Sequence, residues 1–326
     1  MTRRGGLRAA DEPGSAAARP EGRQVVVRAP GKVNLALQVS PLGDDGYHRV
    51  LSVFQAVSLV EEVEASPAEG LSLTVTGPQA DLVPTDDTNI AWRAARLVAE
   101  RAGVDPDVHL HLRKGVPVAG GMAGGSADGA AALVACDALW GTGLSRDELH
   151  ELAGELGSDV PFALLGHTAV GTGRGHLVTP AMTRGEFCWA FGLRYAGMST
   201  GAVYSTFDDL QRAGTIADSF DEEPATAMMH ALRAGDAHAL GACLRNDLEP
   251  ASLEIAPELG ETMEVARSAG ALGVVVSGSG PTVAALARSR QHALAIAAAM
   301  TAADVVDDVA TAIGNVPGAR VVSAGV

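Results

Sequence analysis

The apolar pattern begins with a run of β-branched residues at Val25-Val26-Val27, and apolar positions then alternate with other residues at Val33, Leu35, Leu37 and Val39. A period of two is the mark of a strand with one buried face, and it puts Lys32 and Asn34 together on the opposite face. The turn cluster Pro41-Leu42-Gly43-Asp44-Asp45-Gly46 follows, then strand-like runs at Val50–Leu59 and Leu71–Val75. Asp86-Asp87-Thr88-Asn89 caps a helix to about Arg101, with Ile90, Ala94, Leu97 and Val98 at helical spacing. Val108, Leu110 and Leu112 form a strand that runs into a glycine-rich loop, and an Ala-rich helix runs from Ala130 to Trp140. Ser145-Arg146-Asp147-Glu148 is a capping box that starts a helix to about Leu156.

Strand-like pieces recur at Thr168–Gly171, Leu177–Val178 and Phe187–Arg194. From Thr200 onward the pattern turns helical, at Ala202–Leu210, Pro224–Ala234, Ala237–Leu244 and Leu259–Ala269. Val274-Val275-Val276, the loop Ser277-Gly278-Ser279-Gly280-Pro281-Thr282 and the strand Val283–Leu286 come next, followed by a helix at Gln291–Met300 and a last strand at Arg320–Val322. Residues 1–24 are rich in Arg, Ala, Gly and Pro and lack periodicity, which predicts a disordered tail. The change from β-rich to helical pattern sets a boundary near residue 185, giving domains over 25–185 and 186–326.

Composition narrows the function classes. The 326 residues are 47% hydrophobic but only 4% aromatic, so Ala, Val and Leu must fill the core. A formal net charge of −15 argues against nucleic-acid or anionic-membrane binding, while leaving room for a small anion held by local positive groups. Cys136, Cys188 and Cys243 show no metal-ligand spacing, no metal ligands are predicted, and the odd count suits a reducing cytoplasm. No apolar run has the length of a membrane span, and no apolar stretch follows Arg3-Arg4, so neither a membrane segment nor a secretory signal is expected.

The candidate chemistry centres on Pro117-Val118-Ala119-Gly120-Gly121-Met122-Ala123-Gly124-Gly125-Ser126-Ala127. Strand, glycine loop and helix in that order make an anion cradle, because the loop exposes N–H groups and the helix adds the positive end of its dipole. The spacing is neither that of a P-loop nor that of a dinucleotide fold, and a glycine cluster also serves as a plain turn. Tyr47-His48 at the edge of the turn is either a clamp for a flat ring or a tyrosine packed on the sheet. Asp159, between Gly157-Ser158 and Val160-Pro161-Phe162, is either a helix cap or a working carboxylate.

Pro30-Gly31-Lys32-Val33-Asn34-Leu35, the Pro117–Ala131 loop and Ser277-Gly278-Ser279-Gly280-Pro281-Thr282, in that order, resemble the three motifs of the GHMP kinases. The resemblance implies an α/β (α+β) fold of two domains with the active site in the cleft between them, ATP as the phosphoryl donor and Mg2+ bridging its phosphates. Asp45-Gly46-Tyr47-His48, Gly157–Phe162 and Asn246-Asp247-Leu248-Glu249-Pro250 are similar to the members that phosphorylate the 2-hydroxyl of a cytidine diphosphate-linked methylerythritol, a step of the non-mevalonate isoprenoid pathway. On that resemblance Asp159 would be the base and Lys32 its partner near the γ-phosphate. Asn89 and residues 117–127 would hold the nucleotide. Asn34, Tyr47, His48, Thr200, Tyr204, Gly278 and Ser279 would hold the acceptor, with Tyr47 and Tyr204 on the two sides of the cytosine. Met122 stands where the family usually has Leu, and Ala127 where it often has Ser. A small-molecule partner and a monomer or weak homodimer are expected. The alternatives are a homoserine- or mevalonate-type kinase, whose acceptors carry no base, or a non-catalytic regulator on the same fold.

Overall fold

The computed structural model describes residues 22–118 and 120–325, so Ala119 and residues 1–21 of the expected tail lie outside the described residues. The first half contains β1 (Gln24–Leu42), β2 (His48–Pro67), β3 (Leu71–Thr76), α1 (Ile90–Ala102), β4 (Val108–Arg113), α2 (Gly124–Trp140), α3 (Arg146–Leu156), α4 (Val160–Leu165), β5 (Thr168–Thr172) and β6 (Leu177–Pro180). The second contains β7 (Cys188–Leu193), α5 (Thr200–Arg212), α6 (Thr226–Ala234), α7 (Ala237–Gly241), β8 (Arg245–Asn246), α8 (Glu249–Ile255), α9 (Glu258–Ser268), β9 (Gly273–Val276), β10 (Val283–Ala287), α10 (Arg290–Ala302), β11 (Asp308–Ile313) and β12 (Arg320–Gly325).

One sheet runs β12-β1-β2-β4-β3, with β5 on β2, β6 on β5 and β8 on β1; the other runs β11-β7-β10-β9. The boundary expected near residue 185 does not separate the sheets, because β8 and β12 come from beyond it and pair with β1. The two strands expected at Val25–Val27 and Val33–Val39 are one strand, β1, whose pairing with β2 slips between Pro30 and Gly31 and again between Asn34 and Ala36. Pro30 has no N–H to give the ladder, and bulges of this kind re-aim the side chains beside them.

The expectation that β1 has one buried face is corrected. Residues 29–40 are buried on both faces, including Lys32 at 4% and Asn34 at 3% exposure. Val33 and Leu35 share a core with Trp189, Phe191 and Leu286 from the second sheet, while Leu37 and Val39 meet Val203 and Phe207 of α5. Polar residues on the far face of β1 therefore stand inside the molecule. That is the first indication that they serve chemistry and not solvation.

α2 is apolar nearly all round and buried, as its Ala-rich sequence requires. Small residues let it approach α1 closely: a Cβ at Gly129 would lie 2.5 Å from Ile90. Asn89 caps α1 by accepting from the Ala91 N–H, and Ser145 with Glu148 forms the expected capping box of α3. α4, α8 and β11 were not expected from the pattern; α4 and α8 each have a proline in the first turn and fewer than eight residues, too short for periodicity to show.

Candidate active site

A cavity of about 600 Å³ is lined by Lys32 and Asn34 of β1, by the glycine loop and first turn of α2, and by Asp159, Thr200, Tyr204, Gly278 and Ser279. Strands and loops from both halves of the chain thus meet at one place. Lys32 Nζ donates to Asn34 Oδ1 at 2.6 Å and to the Gly121 carbonyl at 2.5 Å. Asn34 Nδ2 donates to Ser52 Oγ at 2.7 Å, and Ser52 donates on to the Ala36 carbonyl. The chain of bonds fixes the lysine head at the floor of the cavity. Burial lowers the Lys32 pKa from its ordinary value, and the charge of Asp159 works against that.

Asp159 does not serve as a side-chain cap. It occupies the N-cap position of α4, yet its side chain makes no capping bond, so the carboxylate is left to face the cavity. Its charge also reaches Tyr204, whose hydroxyl is pushed up to about 12 by burial first and by Asp159 second. Tyr204 therefore stays a neutral donor at any working pH.

The glycine loop is shaped by its own close approaches. Gly121 has φ +70°, and a Cβ there would collide with the Ser277 carbonyl; its own carbonyl accepts from Lys32 and from Ser277 Oγ at 3.2 Å. Ala123, in the left-handed region at φ 59°, stands at the N-cap of α2 without a side-chain cap, so the first N–H groups of that helix stay open to the cavity. Pro117, Val118, Gly120, Gly121, Ala123, Gly124, Gly125 and Ser126 line it. Met122 and Ala127, expected among the nucleotide-binding residues, do not. Both are fully buried, the Met122 side chain in the central core, and Met122 contributes its carbonyl to the Lys32 N–H. Asn89 is on the cavity wall, but its amide is engaged on both sides, by the Ala91 N–H and the Pro84 carbonyl.

A second cavity of about 430 Å³ is lined by Tyr47, His48, Val50, Arg174, Tyr204 and Asp208, among others, and shares Val50, Arg174 and Tyr204 with the first. His48 Nδ1 lies 2.8 Å from the Ser40 carbonyl, which can only accept, so Nδ1 carries the proton. Nε2 is then the edge His48 offers, 3.6 Å from Asp208. Tyr47 and Tyr204, expected on the two sides of the base, both line this cavity. Tyr204 packs on His48 with ring centres 5.1 Å apart, and the Arg174 guanidinium covers the Tyr47 ring at 3.3 Å. Arg174 carried no role in the sequence reading. Its one signal there is its position in Gly173-Arg174-Gly175, a cation on a glycine hinge between two strands.

Two family models match: the GHMP kinases N terminal domain over residues 89–167, and GHMP kinases C terminal over 228–305. A Thermobifida fusca protein named 4-diphosphocytidyl-2-C-methyl-D-erythritol kinase is 52% identical over 91% of this chain and 98% of its own length. A Streptomyces coelicolor protein of the same name is 51% identical over 91% and 99%. The chain belongs to the GHMP kinases. A crystal structure of 4-(cytidine 5'-diphospho)-2C-methyl-D-erythritol kinase superposes with TM-score 0.73 at 30% identity, covering 89% of this chain and 99% of that one. Mevalonate kinase from L. major, at 17% identity and TM-score 0.71 over 88% of this chain and 94% of that one, shares the fold.

This GHMP kinase is an ATP-dependent small-molecule kinase, and beneath its glycine loop lies a charged triad that the sequence reading did not assemble. Lys114 Nζ pairs with Asp128 Oδ2 and, at 2.7 Å, with Glu61 Oε1, all three buried. Glu61 Oε2 also accepts from the Gly115 N–H at 3.0 Å, so the triad ties β2, the root of the loop and α2 together. Burial lowers Lys114, but the two carboxylates raise it above its ordinary value overall. Burial raises Glu61 to about 7, with Asp128 adding to the rise and Lys114 opposing it. An acid held above its unfolded value of 4.5 contributes stability at low pH that is lost as pH rises towards 7. The melting temperature of Glu61→Gln, compared with wild type from pH 5.5 to 8, should therefore fall less steeply across that window; parallel curves would show that Glu61 is not the group that titrates.

Among the described residues no helix is long and apolar enough to cross a membrane, and no group of three or more His, Cys, Asp or Glu is placed to hold a metal ion.

Proposed function

We propose that this kinase transfers the γ-phosphoryl group of ATP to the 2-hydroxyl of 4-diphosphocytidyl-2-C-methyl-D-erythritol, in isoprenoid precursor synthesis. The observation that carries the reading is the junction of two cavities: one with Lys32, Asp159 and the glycine loop, and beside it one walled by His48, Tyr204 and the Arg174–Tyr47 pair. An acceptor with a flat base at one end, a hydroxyl at the other and a diphosphate between them matches that layout. Homoserine and mevalonate would leave the aromatic cavity without a partner.

In the proposed reaction Asp159 accepts the hydroxyl proton as the oxygen bonds to the γ-phosphorus and the bond to the ADP oxygen breaks. Lys32, fixed by Asn34 and Gly121, meets the charge that builds on the transferring group. The open N–H groups of the loop and of α2 hold the phosphates. The lining fits Mg2+: the Ser126 hydroxyl would supply a hard oxygen without an all-protein cage, as suits a cation held mainly by phosphate and water. When bound, Mg2+ neutralises the β- and γ-phosphates. His48 Nε2 would meet the cytosine edge, Tyr204 and Tyr47 would give it apolar cover, and Arg174, shared by both cavities, would meet the diphosphate. A cytoplasmic location is part of the same reading, supported by three cysteines that are all free.

Tyr47→Ala and His48→Ala should each raise the KM for the cytidylyl acceptor at least about tenfold, roughly 1.4 kcal/mol, with the KM for ATP hardly changed. Steady-state kinetics with each substrate varied in turn reads both values. An unchanged acceptor KM in both variants would return Tyr47 and His48 to a structural role at the turn.

A further inference from the structure

Of the segment Asn246-Asp247-Leu248-Glu249 only Leu248 lines the main cavity, yet the segment grips two parts of the site at once. β8 pairs in parallel with β1, Ala36 opposite Arg245 and Leu37 opposite Asn246. The Asp247 N–H donates to the Leu37 carbonyl at 2.9 Å, and Asp247 Oδ2 accepts from the Val39 N–H at 3.1 Å. That anchors the segment to the strand carrying Lys32 and Asn34. On its other side the Asn246 amide donates to the Val276 carbonyl at 2.8 Å and to the Gly278 carbonyl at 2.7 Å. Asn246 Oδ1 accepts from the Leu248 N–H at 2.9 Å, so the donors and acceptors around the amide leave it one orientation. Glu249 Oε2 accepts from the Val276 N–H at 3.1 Å, and Ser252 Oγ donates to the Ser279 carbonyl at 3.2 Å.

The bonds to Gly278 and Ser279 land on the glycine loop that closes the acceptor side of the site, and the two to Val276 hold the end of β9 that leads into it. Gly278 there has φ +61°, and a Cβ on it would lie 3.1 Å from Lys32 Nζ and 3.5 Å from Asn34 Oδ1. Its backbone is thus packed directly on the Lys32–Asn34 pair. Ser279 Oγ, one residue on, lies 3.1 Å from Thr200 Oγ1.

We infer that Asn246 is a positioning residue for phosphoryl transfer: it holds the Gly278 peptide against Lys32 and Asn34, and so sets the distance between the lysine and the acceptor. The amide suits the task because one nitrogen offers two donors to two carbonyls. A carboxylate of the same shape has no donor and would face both carbonyls with a charge. The Asn246 bonds go to Val276 and Gly278, while the nucleotide-binding turn meets this loop through Gly121 at Ser277 and Gly280, so the larger effect should fall on the acceptor side.

The inference rests on the kinase reading, and the test separates the two. Turnover of the cytidylyl acceptor by the wild type tests the proposed reaction; if the wild type prefers another acceptor, that one is used. The ratio of variant to wild type tests Asn246. Asn246→Asp is expected to lower kcat at least about tenfold and to raise the acceptor KM, with the ATP KM within about twofold of wild type. Ser252→Ala, which removes one bond to the same loop, should show the same split in a milder form, and it stands in if Asn246→Asp does not fold. Far-UV circular dichroism and a melting temperature above the assay temperature establish folding. Folded variants whose kcat and acceptor KM stay within about twofold of wild type would overturn the inference. So would an ATP KM that rises as far as the acceptor KM, because a general loosening would then explain the loss.

Discussion

Asp159→Asn should bind ATP as the wild type does and lose about a hundredfold or more in kcat. The fold has little to lose, because Asp159 sits at the N-cap of α4 without a side-chain cap and Asn is the same shape. The chemistry has much to lose, because an amide cannot accept the hydroxyl proton. A second consequence is specific to this site. Burial already lowers the Lys32 pKa, and Asp159 is the charge that opposes it. Without that charge Lys32 should give up its proton at lower pH, so the residual activity of the variant should decline earlier than wild type as pH rises. Single-turnover kinetics with ATP bound, read across pH, measures both effects. Near-normal turnover at saturating substrates would remove Asp159 from the role of base.

Gly121→Ala should be the most damaging change in the glycine loop. The backbone at Gly121 has φ +70°, which costs an L residue about 1–2 kcal/mol before any contact is considered. The added methyl would also strike the Ser277 carbonyl, a backbone atom that cannot swing aside. The loop must move, and with it the carbonyl that holds Lys32. ATP affinity should fall at least about tenfold by calorimetry, and kcat should fall as well. Gly124, the other natural target, is a milder test. It starts α2 with an ordinary φ, and its Cβ would meet Glu61 Oε1, a side-chain oxygen, at 2.8 Å. Unchanged affinity in Gly121→Ala would mean that the loop is a turn and no more.

The elements governed by local rules were legible in the sequence. Asn89 and Ser145 announced their helices because capping is a matter of three or four consecutive residues. The family, and with it the two-part α/β fold, was legible from three short motifs in order. What alternation could not reveal was that β1 is buried on both faces, since a polar residue inside a hydrogen-bond network looks like a polar residue in water. The same limit hid the Met122 side chain, which points into the core while its carbonyl serves the site. Arg174 on Tyr47, and the triad of Glu61, Lys114 and Asp128, are made by residues distant in sequence, and only the register of the sheet brings them together. Asn246 belongs with them: its motif was visible, but its partners at Val276 and Gly278 were not.

The central claim is that the second cavity selects the acceptor by its base. The most direct measurement is ATP consumption by the wild-type enzyme with 4-diphosphocytidyl-2-C-methyl-D-erythritol, 2-C-methyl-D-erythritol 4-phosphate, homoserine and mevalonate, each varied to saturation. The cytidylyl acceptor should give a kcat/KM at least about a hundredfold above the others, because only it fills the space around His48, Tyr204 and Arg174. Equal or better use of an acceptor without the cytidine half would contradict the account.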